Sequence, residues 1–412
     1  MELHVDRDDQ RIDLDVERIR ADFPALGDGY SYLDGAAGTQ TPSPVIDAIA
    51  GAYRGGLSNT RGFFPASHRS DEIVSECRRA IADLVGGVPQ GVVLGPNMTT
   101  LTYRVAGALR KTWRPGDEVV VSQLDHDADV RPWIQAAAAA GAVVRWARVD
   151  PVTGELPWEQ YRELVGERTR VVAVTAASNV LGTRPEVGRI SQLAHAVGAL
   201  TYVDGVHSTP HFGVDIASLG ADFYVTSAYK WCGPHVGALV AEPALLETLE
   251  PDKLIPSSDL VPERFELGTP ALANLAGVTA AVDHLAGAVP QSTGSRRERL
   301  LRSMAAVESY ERRLFQVMLD GLEEMDHVTL HGHSSRRAPT AYFQVLGHSP
   351  DQVAEILAGR RINVWSGDNY AWELVGALGL RPADGAVRAG LVHYNDHRDV
   401  DRLLEAVSTL RR

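Results

Sequence analysis

The chain has 412 residues, 44% of them hydrophobic and 23% charged, a composition that excludes disordered and fibrous classes and suggests two or three structural units. Its 40 basic residues against 53 acidic ones give a formal charge of −13, which argues against nucleic-acid binding, because a binder needs a basic stripe to replace counterions. The cysteines are Cys77 and Cys232; they offer neither a CxxC spacing nor a disulfide framework, so a cytoplasmic, reducing location is expected. The charged opening segment is not expected to be a signal peptide. No apolar run approaches the roughly 20 residues of a membrane span, so no membrane partner is expected.

Residues 118–123 form a β-rich run, followed by a helical stretch from about 130 to 140. An extended run over 143–149 and a helical pattern over 158–165 come next. A buried strand is predicted over 170–176, an amphipathic helix over 186–197, and strands over 200–204, 223–227 and 237–241. Near-continuous apolar strands separated by helices predict a parallel sheet covered on both faces, an α/β fold with its ligand beyond the carboxyl ends of the strands. From about residue 290 the order changes. A long charged helix over 295–323 precedes a strand over 340–346, a helix over 350–358 and an extended piece over 362–365. A strand over 386–392 and a terminal helix from Asp399 complete a smaller α+β unit, with 286–295 as the linker. The expected organisation is an N-terminal segment 1–30 packing on the small domain, a large domain 31–285 and a small C-terminal domain 286–412.

The strand ends carry the chemistry. Asp204 ends one strand; Lys230 follows the next, after Ser227 and before Gly233-Pro-His-Val-Gly. A lysine there is a candidate Schiff-base nucleophile, since partial burial lowers its pKa and frees its amine. Chemistry on pyridoxal 5′-phosphate (PLP) needs such a lysine and an anion against the pyridinium nitrogen. Singly, Asp204 reads as a turn cap and Lys230 as a loop lysine. On adjacent sheet ends they point to PLP bound through Lys230.

These residues belong to a wider pattern. The chain resembles fold-type I PLP enzymes of the class V aminotransferase superfamily, close to the cysteine desulfurases, from Tyr32-Leu-Asp-Gly-Ala-Ala to Tyr394-Asn-Asp-His-Arg-Asp-Val-Asp-Arg-Leu. The resemblance implies a mostly parallel sheet sandwiched by helices, with a smaller α+β C-terminal domain. In Ser178-Asn-Val-Leu-Gly-Thr183 it gives Asn179 contacts to the cofactor's phenolic oxygen and the substrate carboxylate. His126, in Leu124-Asp-His-Asp-Ala-Asp, falls where the family stacks a proton-transferring histidine on the cofactor ring. His207, in Asp204-Gly-Val-His207, replaces a glutamine near the phenolic oxygen, and Arg388 aligns with the arginine that takes the substrate carboxylate bidentately. Met98 and Thr99 open a helix whose free N–H groups suit the phosphate, and Ser227 adds a hydroxyl. Thr269, in Glu266-Leu-Gly-Thr-Pro270, resembles a threonine that reaches the neighbouring subunit's phosphate, implying a homodimer with shared active sites.

One loop departs from the family. Cysteine desulfurases carry their nucleophile in an Arg-x-Gly-x-x-Cys loop, whereas this chain reads Trp365-Ser-Gly-Asp-Asn-Tyr370. Cys77 reads as a structural helix residue, and Cys232, two residues past Lys230, as a small thiol packed under the cofactor loop. Trp365, Tyr370 and Arg61 are expected to shape the substrate pocket. Asp125, His126, Asp127 and Asp129 suggest a metal cluster, but alternation along an extended strand end disperses them, and metal catalysis is rejected. The expected activity is that of a PLP enzyme working on an amino acid or amino-acid-derived small molecule through a Cα carbanion, by transamination or C–S β-elimination. A desulfurase using another thiol and an epimerase are the alternatives; a non-catalytic scaffold is disfavoured.

Overall fold

The computed structural model describes residues 14–381 and 384–411, so residues 1–13 of the expected N-terminal segment lie outside the described residues. From edge to edge the central sheet runs Val92–Gly95, Gly237–Ala241, Phe223–Ser227, Leu200–Asp204, Thr169–Thr175, Glu118–Ser122 and Val143–Ala147. The last five strands are mutually parallel. Along Thr169–Thr175, Val172 and Val174 enter one hydrophobic core while Val171 and Ala173 enter the other, the period-two alternation of a strand buried on both faces. Helices Met98–Leu109 and Arg131–Ala140 cover one face; Val187–Ala196 and Leu272–Ala286 cover the other.

Gly237–Ala241 departs from the expected parallel order, running antiparallel to both neighbours. The connection 228–236 is too short for a crossover helix, so the chain turns straight back. Edge strand Val92–Gly95 was not expected from the sequence, being only four residues long. Residues 158–164 form a 3-10 turn, Trp158–Gln160, and a single helical turn, Tyr161–Leu164, in place of one helix.

The second sheet is antiparallel throughout, ordered Trp365–Gly367, Ala386–Gly390, Thr340–Val345 and Val328–His331. It shares a separate core with helices Arg296–Glu323, Pro350–Gly359 and His397–Ser408. Ser295 opens the long helix with a capping box to Glu298. The terminal helix begins before Asp399, because the Asp396 carboxylate accepts the Asp399 N–H and caps the helix there. Ser31–Tyr32 pairs in parallel with Ile362–Asn363, and Arg20, on helix Val16–Ala21, donates to Asp399 at 2.9 Å. Among the described residues no helix is long and apolar enough to cross a membrane.

Gly205 keeps the end of the Asp204 strand compact. A Cβ there would lie 1.9 Å from Cζ of the fully buried Tyr224, whose hydroxyl is held by Ser208 and Thr209. Gly205→Ala is therefore expected to destabilise the protein by about 1–3 kcal/mol, the usual cost of overpacking. Urea unfolding of the two proteins measures the difference.

Candidate active site

The carboxyl ends of the parallel strands open on one recess, continuous with a larger chamber between the two sheets. Asp204 stands at its floor, 4% exposed, and its Oδ1 accepts the Val206 N–H at 2.8 Å. Burial raises its pKa to about 6, opposed by that hydrogen bond and by the Lys230 charge. Lys230 ends the 3-10 turn that follows strand Phe223–Ser227, and its Nζ donates to the Ala36 carbonyl. Burial, reinforced by Arg388, brings Lys230 down to about 7, so a large share of its amine is uncharged at neutral pH.

Helix Met98–Leu109 points its N-terminus at the recess. Asn97 caps the Thr100 N–H, while the Met98 N–H donates to Ser227 Oγ at 2.9 Å, joining two of the predicted phosphate ligands. Thr99 stands beside them on the chamber wall. His207 lines the recess and shares a 2.9 Å hydrogen bond with Thr340 of the antiparallel sheet. Its Nδ1 has no partner, and burial depresses its pKa so far that the ring is neutral. Asn179 Nδ2 donates to the Asn369 carbonyl at 2.8 Å, leaving Oδ1 without a donor.

His126 accepts the Ala128 N–H on Nδ1 at 3.0 Å, and burial lowers its pKa to about 3. The neutral ring therefore carries its proton on Nε2. Tyr370 stacks on it with centroids 5.4 Å apart and planes 20° from parallel. The loop bearing Tyr370 is latched from both sides, since the Asp127 N–H donates to the Tyr370 carbonyl at 2.7 Å and Asn179 holds Asn369. Asn369 and Tyr370 both adopt left-handed φ, 52° and 60°, a conformation non-glycine residues sustain only when their surroundings impose it.

Arg388 enters from strand Ala386–Gly390, 4% exposed, and one of its nitrogens donates to the Asn179 carbonyl at 2.9 Å. Burial reduces its pKa to about 10, which leaves it charged at neutral pH. Trp365 and Tyr370 line the outer chamber, whose volume of about 1000 Å³ reaches the upper end of small-molecule sites. Thr269 and Arg61 lie elsewhere, in a separate hollow where Arg61 pairs with Glu263. Cys77 and Cys232 are both fully buried, and burial lifts the Cys232 thiol to about 12.

Sequence reading passed over Asp34 and Tyr229. Asp34 has an unpartnered buried oxygen and feels the charges of Arg388 and Lys230. Its place in Tyr32-Leu-Asp-Gly was visible, but the contact depends on the bridge between Asp34 and Gly390, distant in sequence. Tyr229 stacks on His235 at 4.6 Å and presents its ring 5.4 Å from Lys230 Nζ.

Residues 31–403 match the aminotransferase class-V family. The chain belongs to that family and is an enzyme of its PLP-dependent class. It is 36% identical to an uncharacterized protein of Mycobacterium tuberculosis, across 96% of this chain and 99% of that one. Its identity to a probable cysteine desulfurase of Pseudomonas aeruginosa is 35%, across 94% and 96% of the two chains. The apo structure of a cysteine desulfurase from Thermococcus onnurineus superposes with a TM-score of 0.86 at 28% identity, covering 96% of this chain and 97% of that one.

Proposed function

We propose that the protein binds PLP at Lys230 and acts on an amino acid or amino-acid derivative by proton removal at Cα, in transamination or C–S β-elimination, without a cysteine nucleophile of its own. The observation carrying the proposal is a buried amine, brought down to about 7, shared between a recess holding a buried carboxylate and an adjoining chamber holding a buried arginine. The unpartnered Asn179 Oδ1 and His207 Nδ1, with the helix N-terminus at Met98, match a polar, phosphorylated aromatic cofactor. When bound, PLP supplies an electron sink for negative charge at the substrate Cα. Asp204 would supply the negative charge that the ring nitrogen needs, and Ser227 and Thr99 would hold the phosphate. Arg388 binds the substrate carboxylate, and Asn179 orients it. The Lys230 amine, once freed by the substrate's own amino group, would take the Cα proton. His126, on the chamber wall, keeps its proton on Nε2. Homodimer formation through the hollow containing Thr269 completes the proposal.

The carbon product separates the readings. A thiolate must attack sulfur in desulfuration, leaving alanine, whereas β-elimination from cysteine leaves pyruvate and ammonia. Tyr370 stands at the loop position expected to carry the nucleophile, and Cys232 is 0% exposed with its thiol held protonated. Purified enzyme given cysteine is expected to form no alanine, and any pyruvate is expected to be unaffected by Cys232→Ser. Alanine formation that disappears in Cys232→Ser would restore the desulfurase reading. Screening other amino acids by changes in the cofactor spectrum then identifies the substrate.

A further inference from the structure

Beneath the turn that carries His126 lie two carboxyl groups to which the proposed chemistry assigns no part. Asp125 follows strand Glu118–Ser122, and Asp129 ends the 3-10 turn Asp127–Asp129. They are 1% and 0% exposed. One oxygen of each is satisfied: Ser122 Oγ–H donates to Asp125 Oδ2, and the Trp133 indole N–H donates to Asp129 Oδ1 at 3.0 Å. The remaining oxygens, Asp125 Oδ1 and Asp129 Oδ2, have no donor. The two side chains are within hydrogen-bonding reach of each other. Two ionised carboxylates in contact inside a protein repel each other and forgo solvation, so one of them must be neutral. A single proton between them satisfies both orphaned oxygens.

We infer that Asp125 and Asp129 share one proton, and that this acid–carboxylate clasp is a positioning element holding the His126 turn against the cofactor recess. The proton sits on Asp129 Oδ2 and is donated to Asp125 Oδ1. Asp125 is the better-supported anion, because the Ser122 hydroxyl and the Thr175 backbone N–H both favour its charge, whereas Asp129 has only the indole. Burial, the larger cause, and the mutual repulsion of the two carboxyls hold the pair's proton well above the ordinary carboxylate range. Several ionisable groups face the clasp from neighbouring elements. Asp204, the strand partner of Thr175, repels the shared charge, and its own charge is favoured by Lys230. Tyr161, whose buried hydroxyl has no partner, and Tyr202, hydrogen-bonded to Thr102 at 2.9 Å, complete the surroundings. The clasp thus leaves one negative charge beside Asp204 where two would otherwise stand.

The pH dependence follows from linkage. Because the folded pair keeps a proton that the unfolded chain releases near ~3.9, its contribution to stability is fully present below about 4 and is lost as pH rises towards the pair's raised folded value. Asp129→Asn replaces the shared proton with an amide N–H donated to Asp125 and retains the oxygen that Trp133 needs. That variant is expected to lose less stability than the wild type across the same window.

Infrared spectroscopy of the full-length protein tests the clasp independently of the proposed reaction. A protonated-carboxyl stretch is expected in the wild type at neutral pH, and its loss is expected in both Asp129→Asn and Asp125→Asn. Absence of the band, or its persistence in both variants, would overturn the shared proton. Positioning is tested by PLP titration followed by absorbance. Asp129→Ala is expected to bind roughly tenfold more weakly, the size of one lost buried hydrogen bond, while Asp129→Asn stays near wild type. If Asp129→Ala does not fold, the pH dependence of Asp129→Asn stability decides the matter. Unweakened binding by Asp129→Ala, or a stability slope in Asp129→Asn identical to the wild type, would overturn the positioning role.

Discussion

Lys230→Ala is expected to abolish the visible absorbance that the wild-type protein acquires with PLP. The chain's lysines are Lys111, Lys230 and Lys253. Lys111 is ion-paired with Asp252 and Lys253 with Asp259, outside the recess. Lys230 is the buried one, and its amine shares the recess with Asp204 and Asn179. Burial brings it down to about 7, so its uncharged, nucleophilic fraction grows as pH rises through neutrality. The other two lysines are held outside the recess by their ion pairs and cannot substitute. Borohydride should fix the cofactor on the wild-type protein and leave Lys230→Ala unlabelled, as read by mass spectrometry of the peptide spanning residue 230. A Lys230→Ala protein that still gains the band and is labelled elsewhere would end the proposal.

The two strand ends at Asp204 and Lys230 were legible because a buried apolar strand announces its own terminus, and an ionisable residue there stands out against it. Arg388 was legible by resemblance alone, since its strand belongs to the other sheet and meets Asn179 only in the fold. The antiparallel return of Gly237–Ala241 was hidden for a different reason: apolar content reports burial but not direction, and only the length of 228–236 constrains it. The Asp125–Asp129 contact was misread in kind. Alternation along an extended strand end would separate these carboxylates, but the chain turns into a 3-10 helix after His126 and folds Asp129 back beneath Asp125. Tyr370 was seen as the residue at the nucleophile's position. Its stack on His126 depends on left-handed backbone at two consecutive non-glycine residues, which no propensity would suggest.

Asp204→Asn is expected to retain PLP while losing turnover on the order of 10²–10³-fold, the scale of removing one preorganised electrostatic contact from a buried site. Asparagine keeps the size of the side chain and an oxygen for the Val206 N–H, so the recess should hold its shape. It cannot carry the negative charge that keeps a proton on a facing ring nitrogen. Burial raises Asp204 to about 6, so in the cofactor-free protein the carboxylate is charged above that pH and neutral below it. PLP uptake by the wild type should therefore weaken as pH falls through about 6, while uptake by Asp204→Asn should lack that step. Absorbance titrations across this range measure the step, and single-turnover kinetics with an accepted amino acid measure the loss in rate. Asp125 and Asp129 provide the internal comparison: both feel the charge of Asp204, yet their shared proton leaves one charge between them, already committed to the clasp. Neither can take over from Asp204 without breaking that contact. Near-normal turnover in Asp204→Asn would mean that a different group faces the ring nitrogen, and the placement of the cofactor in this recess would have to be reversed.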